Sequence, residues 1–289
     1  MELASLEVPL IDETPVQIRA LANSRPACFF TERISDSISA AARSSSTRQV
    51  DFMGGRGGSS MSGRSAGGLA SATTFDQLRQ HMQSAYGIRL DSSIDKLEFE
   101  TARQGLLGVE DVLKELPQLA GSIKYIDADM GTNAYAYAQA RYSAGELEFH
   151  LSMSGWAYGN GETIKKQIER DGTFHPPKTT ARSMMAHEVG HIAEYTLADR
   201  ESSSASAAIG VMKKRRVSTN IVGAACKQVK KTPYGKGKKN NELIESVSGY
   251  ASKNRSEALA ECVGDYFSNG KSSNPLSQAV WGILKEKLG

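Results

Sequence analysis

The segment "ARSMMAHEVGHIAEYTLADR", from Ala181 to Arg200, holds His187, Glu188 and His191 as His-Glu-x-x-His. On an α-helix, side chains four residues apart lie on one face, one turn apart. The spacing therefore predicts two imidazoles presented to one ion. Glu188 sits too far around the helix to be a third ligand, and its place suits a general base for water activated by the metal. A catalytic Zn²⁺ site needs a third protein ligand and an open position. The chain has five histidines, and His81, His150 and His175 all lie upstream of the motif. His175 falls in the loop "TFHPP" and His150 in an expected strand, so neither stands where a second helix would carry it alongside. Downstream, "YASKNRSEALAECVGDYF" places Glu257 and Glu261 four apart on one helix face, with Leu259, Val263 and Tyr266 on another. Glu257 could ligate the metal. Glu261, one turn later, could accept a hydrogen bond from the far nitrogen of a ligating histidine and fix its tautomer. A plainer reading stays open: Asn254 precedes Glu257 by three residues, as in a capping box, and Glu261 could be ordinary surface.

The elements that must position these groups follow from periodicity. In the motif helix, Met185, Val189, Ile192 and Thr196 form a core-facing stripe, so the helix is expected to bury one side and aim its histidines from the other. Gly190 between the histidines costs about 1 kcal/mol of helix propensity, and its small size would admit another element closely. Upstream, "TFDQLRQHMQSAYGI" and "ARQGLLGVEDVLKELPQL" read as helices, the second stopping at Pro117. "SIKYIDAD" reads as a strand, and "AYAYAQARYS" with "GELEFHLSM" as a hairpin turning at Ser143–Gly145. "ETIKKQIERDG" reads as an amphipathic helix, and from Lys178 onward the pattern is helical around a loop-rich basic region. Residues 1–73 read as an arm with short helical pieces and the Gly/Ser-rich linker "MGGRGGSSMSGRSAGGLASA", and residues 74–289 as the folded domain. The expected fold class is α+β, a small mixed sheet followed by a helical half.

"HEVGH" followed by "SGYASKNRSEALAECVGDYF" resembles the zincin metallopeptidases whose third ligand is a glutamate, the gluzincins. Within them it is similar to the anthrax lethal factor-like catalytic domain and its relatives encoded in phages and mobile elements. Their second motif has a Tyr, a Glu seven residues on, then an Ala-Glu pair, as Tyr250, Glu257, Ala260 and Glu261 stand here. The resemblance spans about residues 120–289, but its specific part is the two motifs. It implies a zinc-dependent endopeptidase in which His187, His191 and Glu257 bind Zn²⁺, Glu188 is the general base and Glu261 supports a ligand. It also implies that Tyr250 stabilises the tetrahedral transition state or protonates the leaving amine. Zincins pair an extended peptide with an edge strand above the active-site helix, and the strand at residues 146–153 is the candidate. Trp156 and Tyr158 just after it would line that cleft or pack in the core.

Composition sets the remaining bounds. With 289 residues, 39% hydrophobic and 23% charged, the chain suits a globular domain with a real core. No run approaches the roughly 18 apolar residues of a membrane span, and the amino-terminal residues lack the pattern of a secretory signal. The expectation is a cytoplasmic or phage-associated protein, with non-classical secretion left open. Cys28, Cys226 and Cys262 are far apart and form no CxxC pair, so neither a disulfide framework nor a cysteine metal site is expected. Net charge is only +3, yet Ser202–Asn241 contains no acid and ten Lys or Arg, from Lys213 to Lys239. This segment reads as a solvated loop region or as a patch for an anionic partner. Two rival functions follow: a catalytically silent module of the same fold serving in assembly, and nucleic-acid binding through residues 202–241.

Overall fold

A computed structural model describes residues 68–142 and 146–289, together with the backbone of Ser143 and of Arg33–Ile34. The expected short helices of the arm and residues 53–67 of its Gly/Ser-rich linker lie outside the described residues. The elements in chain order are β1 (Arg33–Ile34), α1 (Phe75–Tyr86), β2 (Arg89–Leu90), α2 (Phe99–Glu115), β3 (Ile123–Asp129), β4 (Ala136–Ser143) and β5 (Glu146–Ser154). There follow α3 (Gly155–Tyr158), α4 (Gly161–Asp171), α5 (Ala181–Arg200), α6 (Ala205–Lys213), α7 (Arg216–Val229), α8 (Asn240–Glu245), α9 (Arg255–Asn269) and α10 (Pro275–Leu288). The class is mixed α and β, with one small mixed sheet and a helical second half. Leu69 is buried in the core, so the packed body reaches back before Thr74. Among the described residues no helix is long and apolar enough to cross a membrane.

The hairpin forms as its alternating pattern predicts, with β4 antiparallel to β5 from Ser143↔Glu146 to Ala136↔Met153. Sheet order is β1-β4-β5-β3-β2. This corrects the expectation that residues 146–153 form the edge strand over the motif helix. β5 is interior, because β3 pairs with it in parallel on the side away from β4. β4 lies between β5 and the two-residue β1, which runs parallel to it at Gln139 and Ala140, so the side of β4 away from β5 is covered only there.

The motif helix α5 is the hub. Thr180 caps it by accepting from the Ser183 amide, while the Thr180 amide donates back to Ser183 Oγ at 2.9 Å. Arg182 grips Asp111 of α2 with two contacts of 2.5 and 2.7 Å, and Tyr158 donates to the Ala181 carbonyl at 2.9 Å. α2, α6, α9 and the sheet then enclose the helix. Every residue from Ser183 to Ala198 is buried. The stripe of Met185, Val189, Ile192 and Thr196 is buried as expected, but its one-sidedness is wrong, because the histidine face is buried too. A helix wrapped on all sides belongs to the core and loses the amphipathic signature of a surface helix.

Gly190 explains how α9 comes so near. A Cβ there would lie 3.0 Å from Ala260 Cα and 3.2 Å from Val263 Cβ. Gly264 answers from α9, where a Cβ would lie 3.3 Å from the Ser183 carbonyl oxygen and 3.4 Å from His187 Cβ. The two backbones thus meet around the motif, as the small residue at 190 suggested.

The basic segment is also more ordered than its composition predicts. Its first two thirds fold into α6 and α7, which bury Ala208, Met212, Val217, Ile221, Val222 and Ala225 while Lys213, Lys214, Arg216 and Lys227 stay exposed. Apolar side chains at helical spacing decide the fold, and the lysines occupy the outward face. Cys226 and Cys262 are free and buried, and Cys28 lies outside the described residues.

Candidate metal centre

α5 and α9 bring His187, His191 and Glu257 together in a fully buried group. Glu257 Oε2 lies 3.5 Å from His187 Nε2 and 3.4 Å from His191 Nε2. Ligands about 2.0–2.1 Å from a tetrahedral ion are separated by about 3.3 Å, so these gaps match a set of donors around one metal. His191 Nε2 and Glu257 Oε2 are buried without a hydrogen-bond partner. A folded protein rarely leaves such atoms unsatisfied, and a shared cation would satisfy both. The residues therefore fit a divalent metal.

The plainer reading of "NRSE" holds for one residue and not for the other. Asn254 does cap α9, accepting from the Ser256 and Glu257 amides at 2.9 and 3.1 Å. That cap needs nothing from the Glu257 carboxylate, which turns inward. Its Oε1 accepts from Tyr250 Oη at 3.2 Å, leaving Oε2 for the imidazoles. Lys253 Nζ in turn donates to Tyr250 Oη at 3.0 Å. Glu261 is buried, not surface. Its Oε1 lies 2.9 Å from His187 Nδ1, and its Oε2 accepts from Ser248 Oγ at 2.6 Å.

Glu188 is buried beside the group. Burial raises its carboxyl to about 7, against the opposing pull of both histidines and the Ala138 backbone N–H. That link to Ala138 makes β4, not β5, the strand beside the base. Burial alone would push His187 down, but its contacts with Glu257 and Glu261 overcome this and hold it up at about 10. His191 is raised for similar reasons, with Glu257 outweighing burial. Glu257 is the reciprocal case: burial would raise it, yet the two histidines hold it far below the usual carboxylate range. Burial and then the Glu257 charge push the Tyr250 phenol well above its ordinary value. Without metal the cluster thus holds protons on its imidazoles, and an ion binding there must displace protons from the ligand nitrogens.

The other three histidines do not join the cluster. His81 Nε2 contacts Glu110 at 2.7 Å. Phe149 packs towards Tyr195 of α5, so alternation along β5 turns His150 to the far face, against Tyr125. His175 stands behind Glu261, its Nδ1 4.0 Å from Glu261 Oε1 and its Nε2 3.3 Å from Asp171. Tyr158 is buried and Trp156 donates to the Ala134 carbonyl, so both serve packing.

Two contacts of the site escaped the sequence. His191 Nδ1 lies 3.1 Å from Ser256 Oγ, and Ser256 Oγ donates to Glu194 Oε2 at 2.5 Å. Glu194 follows His191 by three residues, so helical spacing could have flagged it. Ser256 carries no such signal.

No protein-family model matches the chain, and neither does any curated protein or solved structure.

Proposed function

We propose that the protein is a zinc-dependent endopeptidase of the gluzincin type, as the resemblance to lethal factor-like domains implies. The observation that carries this is the buried His187–His191–Glu257 group at ligand spacing with a carboxylate of raised pKa next to it. Bound there, Zn²⁺ would supply Lewis-acid polarisation of a peptide carbonyl and acidify a water molecule.

The remaining work falls to the chain. Glu188, held near neutrality, can accept the proton of an attacking water and return it to the leaving amine. Tyr250 keeps its proton at neutral pH and donates it to Glu257 Oε1 in the free site, so turning that one O–H from Glu257 to the oxyanion on the scissile carbonyl would make it the oxyanion's donor. Glu257 orients that phenol through Oε1 while offering Oε2 to the metal. Glu261 holds the His187 ring by Nδ1 and leaves Nε2 to coordinate. An extended peptide would pair with β4 on the Ala136–Ala138 side of the two residues that β1 covers, near Glu188. A purely structural metal site would have no use for a base at Glu188.

Glu188→Gln tests this directly. The variant should retain metal and lose cleavage of a mixed peptide library, while chelator abolishes wild-type cleavage. Cleavage by Glu188→Gln at the wild-type rate would sink the mechanism.

A further inference from the structure

His187 has a carboxylate at its outer nitrogen, and His191 has only a serine, which is a weak anchor on its own. The serine, however, is not alone. Ser256 has one hydroxyl proton and gives it to Glu194. Its oxygen can then only accept from His191 Nδ1, 3.1 Å away. Nδ1 must carry the proton of that contact, so Nε2, which faces Glu257 at 3.4 Å, is the nitrogen left to give up its proton to a metal. The Nδ1–H tautomer so formed is the one that a metal requires.

Glu194 is fixed in turn by α7. The Ser218 amide, in the first turn of that helix, donates to Glu194 Oε1 at 3.3 Å. Helix amino-termini present free N–H groups and a positive dipole end to a carboxylate. Glu194, Ser218 and Ser256 are all buried, so water does not compete. The relay spans three helices: α7 to Glu194 of α5, to Ser256 of α9, and back to His191 of α5.

We propose that Ser256 and Glu194 are positioning residues for His191, and that the amino-terminal turn of α7 anchors them. The acid-free segment 202–241 then has a part in the metal centre, separate from any anionic partner. This rests on the proposed metal site.

The test uses the full chain and Zn²⁺ as the probe, measured by competition with a chromophoric chelator. Stability of each metal-free protein and the Co²⁺ absorption spectrum are recorded alongside. Ser256→Ala and Glu194→Gln should weaken metal binding by roughly 10–100-fold and shift the Co²⁺ bands, with the metal-free fold retained in at least Glu194→Gln. Should Ser256→Ala fail to fold, Glu194→Gln decides alone. Wild-type affinity and an unchanged spectrum in a folded variant would overturn the relay while leaving the metal site standing. A wild-type chain that binds no metal would instead bring down the site and the relay together.

Discussion

Replacing Gly190 by Ala measures how closely α9 must approach α5 for Glu257 to reach the histidines. The added Cβ would stand 3.0 Å from Ala260 Cα and 3.2–3.3 Å from Val263 side-chain atoms. The first contact is backbone, so α9 itself has to give. Overpacking a tight core costs about 1–3 kcal/mol, whereas Gly→Ala within a helix gains about 1 kcal/mol of propensity. Gly223→Ala is the control, since it lies inside α7 and a Cβ there meets nothing within 4 Å. The propensity gain is common to both variants, and their difference isolates the packing. A domain of this size loses roughly 2–4 °C per kcal/mol, so Gly190→Ala should melt roughly 2–12 °C below Gly223→Ala. Thermal unfolding by circular dichroism in excess chelator reads this without interference from bound metal. Equal melting temperatures would refute the close α5–α9 contact on which the three-ligand geometry depends.

Metal-free stability should pass through a maximum with pH. His187 is raised from 6.5 to about 10, so the stability it contributes is complete below its unfolded value and lost as pH rises towards 10. Glu257 is lowered from 4.5, so its contribution is present above that value and lost as pH falls. Glu188, raised from 4.5 to about 7, subtracts stability as pH rises across that interval. Melting temperatures in chelator should therefore peak at roughly pH 4.5 and fall on either side, and a monotonic profile would contradict the cluster's electrostatics. Tyr250→Phe should keep its metal and its KM but lose roughly 100-fold or more in kcat; an unchanged kcat would remove the phenol from the reaction.

Much of the site was legible because it is written locally. Four-residue spacings put His187 with His191 and Glu257 with Glu261, and a short turn between alternating segments gave the hairpin. What failed depends on distant partners. β5 looked like a free edge because nothing in residues 146–153 reports that β3 pairs on its other side. α5 looked one-sided because its Met185–Thr196 stripe is real, and only the packing of α9 over Gly190 shows that the histidine face is buried too. The segment after Ser202 looked loop-rich because lysines dominated its composition and hid Val217, Ile221 and Val222 at helical spacing. The Ser256 contact spans 65 residues of chain to His191 and leaves no trace in either neighbourhood.

The central claim is that His187, His191 and Glu257 together hold one metal ion. Elemental analysis of the purified chain, beside His191→Ala and Glu257→Ala, tests it most directly. The account predicts about one zinc per wild-type chain and its loss from both variants. Unchanged zinc in folded Glu257→Ala would contradict it.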